Sequence, residues 1–211
     1  MRSSQTGVHP KLAERVQRHR RHAWDAPIHA GSRAAFEAFR EWRDRSRPLV
    51  LDSGCGTGAS TSDLGRRHPG AQVLGIDRSA HRLARAPAAN ADRLCIRARL
   101  EDAWRLLAAD GECPVRHYLL YPNPWPKPGH LGRRWPAHPV FPVLLALGGV
   151  LTVRSNWRVY LEECAVALGL HGRRPPPVVS FQPDTPLTPF ERKYAASGHT
   201  LYDLTLDSDL D

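Results

Sequence analysis

From Pro48 onward the chain alternates short apolar runs with stretches of helical spacing. LVLD (49–52), AQVLGID (71–77), RLCIRA (93–98), VRHYLLY (115–121) and GVLTVRS (149–155) are rich in Val, Leu and Ile. Runs of this length bounded by turn residues predict five strands, each followed by a turn and a segment of 3.6-residue period. Strands that alternate with helices build a parallel sheet through right-handed crossovers. After the proline break at 175–177, VVSF (178–181) and TLYDLTL (200–206) predict two more strands without a full helix between them. A short connection of that kind makes the last pair antiparallel. The expected fold is α/β: seven strands, mostly parallel with an antiparallel last strand, and helices on both faces.

The first 47 residues have a weaker pattern. Residues 33 to 45 predict a short helix whose stripe of Phe36, Phe39 and Trp42 packs on the domain, while residues 1 to 30 are expected to be irregular. The organisation is therefore a basic arm over 1–47 and a single domain over 48–211. Up to Pro48 there are eleven Lys or Arg against five acids, which suits either a solvated extension or an arm that touches phosphates.

Composition sharpens this. The chain has 211 residues, 41% of them hydrophobic, enough for one sizeable core. Thirty cationic against 21 acidic side chains give a net charge of +9, which favours a polyanion such as nucleic acid. Only Lys11, Lys127 and Lys193 are lysines, so a general preference for Arg explains part of that charge without any partner. Cys55, Cys95, Cys113 and Cys164 form no CxxC pair, which argues against a disulfide framework and a structural metal. No apolar run approaches the ~18 residues of a membrane span, and the basic-apolar-small order of a signal peptide is absent. These features predict a reduced, cytoplasmic protein without membrane or metal, and a monomer is expected.

Candidate chemistry begins at LVLDSGCGTG, where a strand leads directly into Gly54, Gly56 and Gly58. Glycines there let the backbone turn tightly and approach a ligand, beside the free amides of the next helix. Asp77 closes the following strand, where a carboxylate accepts from the two hydroxyls of a ribose. Asp52 and Asp102 also stand at carboxyl ends of expected strands, although either could cap a helix. The spacing is GxGxG and not GxGxxG, which disfavours a dinucleotide dehydrogenase. The whole arrangement resembles the class I methyltransferases, with a Rossmann-like fold and S-adenosylmethionine as cofactor.

Residues 122 to 137 leave the fourth strand and must hang over that crevice. Prolines fix φ along the loop, the tryptophans offer faces for stacking, and Lys127, His130, Arg133 and Arg134 can reach phosphates or a base edge. YPNPWPKPGHLGRRW (121–135) resembles the signature FPDPWPKxxHxxRR of the bacterial tRNA (guanine-N7)-methyltransferases. GGVLTVRSNWRVY (148–160), TPFE (188–191) and GHTLYDL (198–204) resemble further motifs of that family, in order, so the likeness spans residues 48 to 206.

The resemblance implies methyl transfer to tRNA at guanine N7. It gives cofactor contacts to Asp52, Gly54, Gly56, Gly58, Asp77 and Asp102. It gives substrate contacts to Asn123, Lys127, Arg133, Arg134, Asn156, Thr188 and Glu191, with Asn123 also in the catalytic position. tRNA binding is expected to use the arm, the loop arginines, Arg173 and Arg174. Two positions depart from the family: Asn123 and Asn156 stand where it has aspartates. Two alternatives follow, a methyltransferase for another base or an exocyclic amine, and a methyltransferase fold that binds RNA or a nucleoside without turnover.

Overall fold

The computed structural model describes residues 3–22 and 24–207. All seven apolar runs form strands: β1 (Leu49–Ser53), β2 (Gln72–Asp77), β3 (Arg93–Arg97), β4 (Arg116–Leu120), β5 (Val150–Ser155), β6 (Val179–Phe181) and β7 (Leu201–Asp207). They make one sheet in the order β3-β2-β1-β4-β5-β7-β6. The first five strands pair in parallel, while β7 runs antiparallel to both β5 and β6. Every residue of β1 and β2 is buried, as strands covered on both faces must be.

Helices α3 (Ala59–Arg67), α4 (Ala80–Leu83), α5 (Leu100–Ala109), α6 (Phe141–Ala146) and α7 (Arg158–Leu170) supply that cover. Adjacent residues of β1 point to opposite sides. Leu49 and Leu51 enter the main core with Trp104 of α5 and Leu161 of α7, whereas Val50 joins Leu64 of α3 in a smaller cluster. The strand order reverses direction between β1 and β4. In open α/β sheets the ligand crevice lies at that switch point, beyond the carboxyl ends of the strands.

Two expectations are corrected. Residues 189–196 form a helix, α8 (Pro189–Ala196), between β6 and β7 where no full helix was expected. Thr188 caps it, accepting from Glu191 N at 2.9 Å, and Pro189 starts it with φ already set. The N-terminal segment is not irregular either. It contains α1 (Leu12–Arg21) and α2 (Ala30–Trp42), the latter beginning three residues before the expected helix. Leu12 and Val16 are buried against α7, and Phe36 and Phe39 against β3 and α5, so the segment shares the main core. Leu12 and Val16, one turn apart, are too few apolar positions to reveal a helix by period alone; docking on α7 stabilises it. Among the described residues, no helix is long and apolar enough to cross a membrane.

Docking of α1 predicts that Leu12→Ala, at a fully buried position, lowers the unfolding free energy by about 2–5 kcal/mol in urea titrations. A change within ~0.5 kcal/mol, the range of an ordinary surface substitution, would mean that α1 is not part of the core.

Candidate cofactor crevice and the loop above it

The end of β1 opens into a glycine turn. Gly54, Gly56 and Gly58 have φ of 86°, 61° and 71°, a region closed to most side chains. A Cβ on Gly54 would meet nothing within 4 Å, and one on Gly56 only Arg82 Cδ at 3.9 Å. The turn therefore leaves open space for a ligand against its backbone, the property that a nucleoside cofactor requires.

Two buried carboxylates flank the turn. Asp52 is 1% exposed, and its Oδ2 accepts from Ser60 Oγ and Thr61 Oγ1 in the first turn of α3, each at 2.7 Å. Burial pushes its pKa up from 3.8 to about 6, although the two hydroxyls pull it down. Asp77 Oδ2 accepts from Gly56 N at 3.0 Å, which ties the glycine turn to β2. Its Oδ1 accepts from Ser79 N at 2.7 Å and from Arg82 Nη2 at 2.9 Å. A ribose diol at Asp77 must share or displace Arg82, whose side chain is 44% exposed and free to swing outward. The donor set thus fits S-adenosylmethionine: a carboxylate for hydroxyls, a second carboxylate for positive charge, and an open backbone turn between them.

Asp102 is 3% exposed and lies in the first turn of α5, where Oδ2 accepts from His29 N at 3.2 Å and so fastens the start of α2.

Beneath the turn, Ser53 Oγ accepts from Trp104 Nε1 at 3.0 Å and lies 2.8 Å from His117 Nε2. Burial drives the His117 pKa down to about 3, so the ring is neutral and acts as a polar strut in the floor.

The loop after β4 is strained and braced. Tyr121 and Trp125 have φ of 51° and 46°, which costs a non-glycine residue about 1–3 kcal/mol each unless the surroundings impose it. Tyr121 is fixed through its N, which donates to Arg154 O at 2.8 Å, and its hydroxyl, which donates to Glu191 Oε1 at 3.1 Å. Trp125 N donates to Asn123 Oδ1 at 3.3 Å. The loop continues through two 3-10 turns, Pro128–Arg133 and Trp135–Ala137, and so has more regular structure than its composition suggested.

Arg134 is a correction. It is 0% exposed, and its Nη1 donates to Glu163 Oε1 and Oε2 at 2.6 and 2.8 Å. Its Nε and Nη2 donate to Trp125 O at 3.1 and 3.0 Å, and Nη2 also reaches Lys127 O and Gln5 Oε1. No phosphate can reach it. Glu163 Oε1 also accepts from Gln5 Nε2 and His9 N, so loop, α7 and N-terminal segment meet at one ion pair. Sequence reading missed Glu163, which stands beside Glu162 in α7, and only the fold shows which of the two is buried.

Glu191 is corrected in the same way. The Thr188 hydroxyl accepts from Glu191 N in the α8 cap. Glu191 is 0% exposed, with its carboxylate taken by Tyr121 Oη, Arg154 Nη1 and Leu187 N. Glu191 braces the loop from inside the protein and does not face a substrate, and Thr188 sets the start of the helix that carries it.

Four of the expected substrate residues remain accessible. Asn123, Lys127 and Arg133 are exposed, and Asn156 is half-buried at the end of β5. The Arg133 guanidinium lies 4.6 Å from the Trp125 ring centroid. Among the described residues, the side chains of Lys127 and Asn156 have no hydrogen-bond partner.

A family described as "Putative methyltransferase" matches residues 46–204. The tRNA (guanine-N7)-methyltransferase of Mycobacterium tuberculosis (strain H37Rv) is 32% identical over 189 residues, covering 78% of this chain and 68% of that protein. The enzyme of the same name from Halorhodospira halophila is 31% identical, covering 76% of this chain and 74% of that protein. Among solved structures, the 16S rRNA methyltransferase KamB superposes with a TM-score of 0.57 at 20% identity, covering 87% of this chain and 96% of that one. Human methyltransferase-like protein 13, solved with SAH, gives 0.53 at 14% identity, covering 83% and 81%. At these identities the two structures bear on the fold alone.

Two predictions test the site. Breaking a buried ion pair by removing one partner costs about 3–5 kcal/mol. Glu163→Gln should lose about that much stability, and trypsin should cut after Arg133 much faster than in the wild type; unchanged cutting would mean that the pair does not hold the loop. Asp52 carries a pKa raised from 3.8 to about 6, so its folded form prefers the proton, and its share of stability falls as pH rises through that window. Between about pH 4 and pH 6.5 the wild type should lose up to about 3 kcal/mol relative to Asp52→Asn, read from urea midpoints at each pH.

Proposed function

The chain belongs to this methyltransferase family, and on that premise we propose that it methylates tRNA at N7 of a guanine, with S-adenosylmethionine as the donor. When bound, that cofactor supplies an electrophilic methyl group on a cationic sulfur. Asp77 and the glycine turn would hold its nucleoside, and Asp52 would balance positive charge.

The observation that carries the reading is the braced loop, which leaves β4 next to β1 and its glycine turn and carries the exposed Asn123, Lys127 and Arg133. N7 of guanine carries a free lone pair, so the reaction needs alignment and no proton acceptor. The loop is suited to that task, since Arg134 holds the Trp125 carbonyl on one side and Glu191 the Tyr121 hydroxyl on the other. Trp125, backed by Arg133, offers a stacking face, and Lys127 a phosphate contact. Asn123 and Asn156 would address the polar edge of the base. The relatives named above are tRNA methyltransferases, which supports tRNA as the substrate and the cytoplasm as the place of action.

One observation favours a second reading. Asn123 spends its Oδ1 on Trp125 N, leaving its NH2 group to meet the base. A donor there pairs with an acceptor such as adenine N1, where guanine carries an N–H, so a base other than guanine is the alternative.

The test is transfer of labelled methyl from S-adenosylmethionine to total tRNA, followed by nucleoside analysis. N7-methylguanosine is the expected product. Another methylated nucleoside would move the assignment to the second reading, and no transfer despite bound cofactor would reject both.

A further inference from the structure

A second concavity, of about 450 Å³, lies between α1 and the first 3-10 turn of the loop. Lys11, Arg15 and Arg18 line one side, at spacings of four and three residues that put them on a single helix face. Glu14 is the one acid among the lining residues. The opposite side includes Gly129 and Gly132 of the loop. Arg15 joins the walls: its guanidinium packs onto Gly132, and its Nε donates to Ala137 O at 3.2 Å.

Lys11 and Arg18 are exposed, and among the described residues neither has an ion-pair partner. The cationic field of this face is felt by His19, held below its ordinary pKa by burial and then by Arg15 and Arg18. Like charges set along one helix face repel each other until an anion settles between them. The groove has no large apolar anchor of the kind that concentrates binding energy at protein interfaces, for none of the exposed large hydrophobics lines it. Lys11 and Arg18 stand about 10 Å apart along the helix axis, enough to engage more than one phosphate of a strand.

We propose that this groove takes the phosphodiester backbone of the RNA substrate beside the target nucleotide. Lys11 and Arg18 contact phosphates, and Arg15 holds the walls together. The groove shares its loop wall with the active site, because Pro128 and Gly129 follow Lys127 directly. The segment that clasps the loop from below therefore also grips the substrate. This inference rests on the RNA-methyltransferase reading given above.

The test compares the full-length wild type with Lys11→Ala/Arg18→Ala, using total tRNA as the probe and its affinity across a salt series. The double variant should bind about tenfold more weakly, and its slope of log K against log salt should drop by about 1.5, as for two lost phosphate contacts. Titration with S-adenosylhomocysteine reports the crevice separately and should be unchanged. Gly129→Glu is an independent variant, since a side chain there meets nothing within 4 Å. It places a negative charge beside the groove and should weaken tRNA binding in the same way.

If the wild type methylates tRNA but both variants keep its affinity and salt slope, the groove assignment is overturned and the enzyme reading stands. If the wild type neither binds nor methylates tRNA, the parent reading falls and takes the groove with it. Polyglutamate displaced by the same substitutions while tRNA is unaffected would overturn the assignment in favour of an acidic protein partner.

Discussion

The buried contact between Arg134 and Glu163 is the constraint around which the working end of the molecule is arranged. Two charges at zero exposure are tolerable only if each is paired and its remaining hydrogen-bonding capacity is used. The guanidinium meets that demand by collecting the carbonyls of Trp125 and Lys127, and the carboxylate by collecting Gln5 and the amide of His9. A charge that must be satisfied thus dictates the path of three segments distant in sequence. The prolines limit the conformations open to the loop, but the ion pair selects among them.

The strain at Tyr121 and Trp125 makes sense in that setting. Left-handed backbone at two aromatic residues persists only where the surroundings over-determine it. Tyr121 is held at Arg154 and Glu191, and Trp125 at Arg134 and Asn123. Both strained residues flank Asn123, so the least relaxed stretch of backbone coincides with the position offered to the base.

The sheet was legible because its signal is local. LVLD and QVLGID are continuous apolar runs, and a buried parallel strand has little choice but to look like that. The glycine turn with Asp52 and Asp77 was legible for the same reason, as spacing and strand position sufficed. What could not be read depends on direction. Arg133 and Arg134 are neighbours with the same chemistry, yet a 3-10 turn sends one over Trp125 in solvent and the other into the core. Asp102 reads only as a crevice acid, yet one of its oxygens also holds the start of α2 through a backbone amide. Thr188 and Glu191 read as a substrate motif and turn out to be a helix cap and a buried anchor. In each case a distant segment decides the role, and no window of sequence contains both partners.

That separation has a consequence for how the molecule comes into being. Gln5 meets a carboxylate 158 residues further along the chain, and the sheet closes only when β7 slides between β5 and β6. Synthesis delivers Gln5 and α1 long before their anchor on α7. Until α7 is made, Arg134 has no counterion and the loop has no reason to adopt its strained path. Contacts of such long sequence separation form late, because the chain must surrender much freedom before they return any stability. A partial chain therefore holds a cationic helix and a glycine turn but no working loop. The emergence of α7, which brings Glu163 to Arg134, is itself the event that assembles the loop.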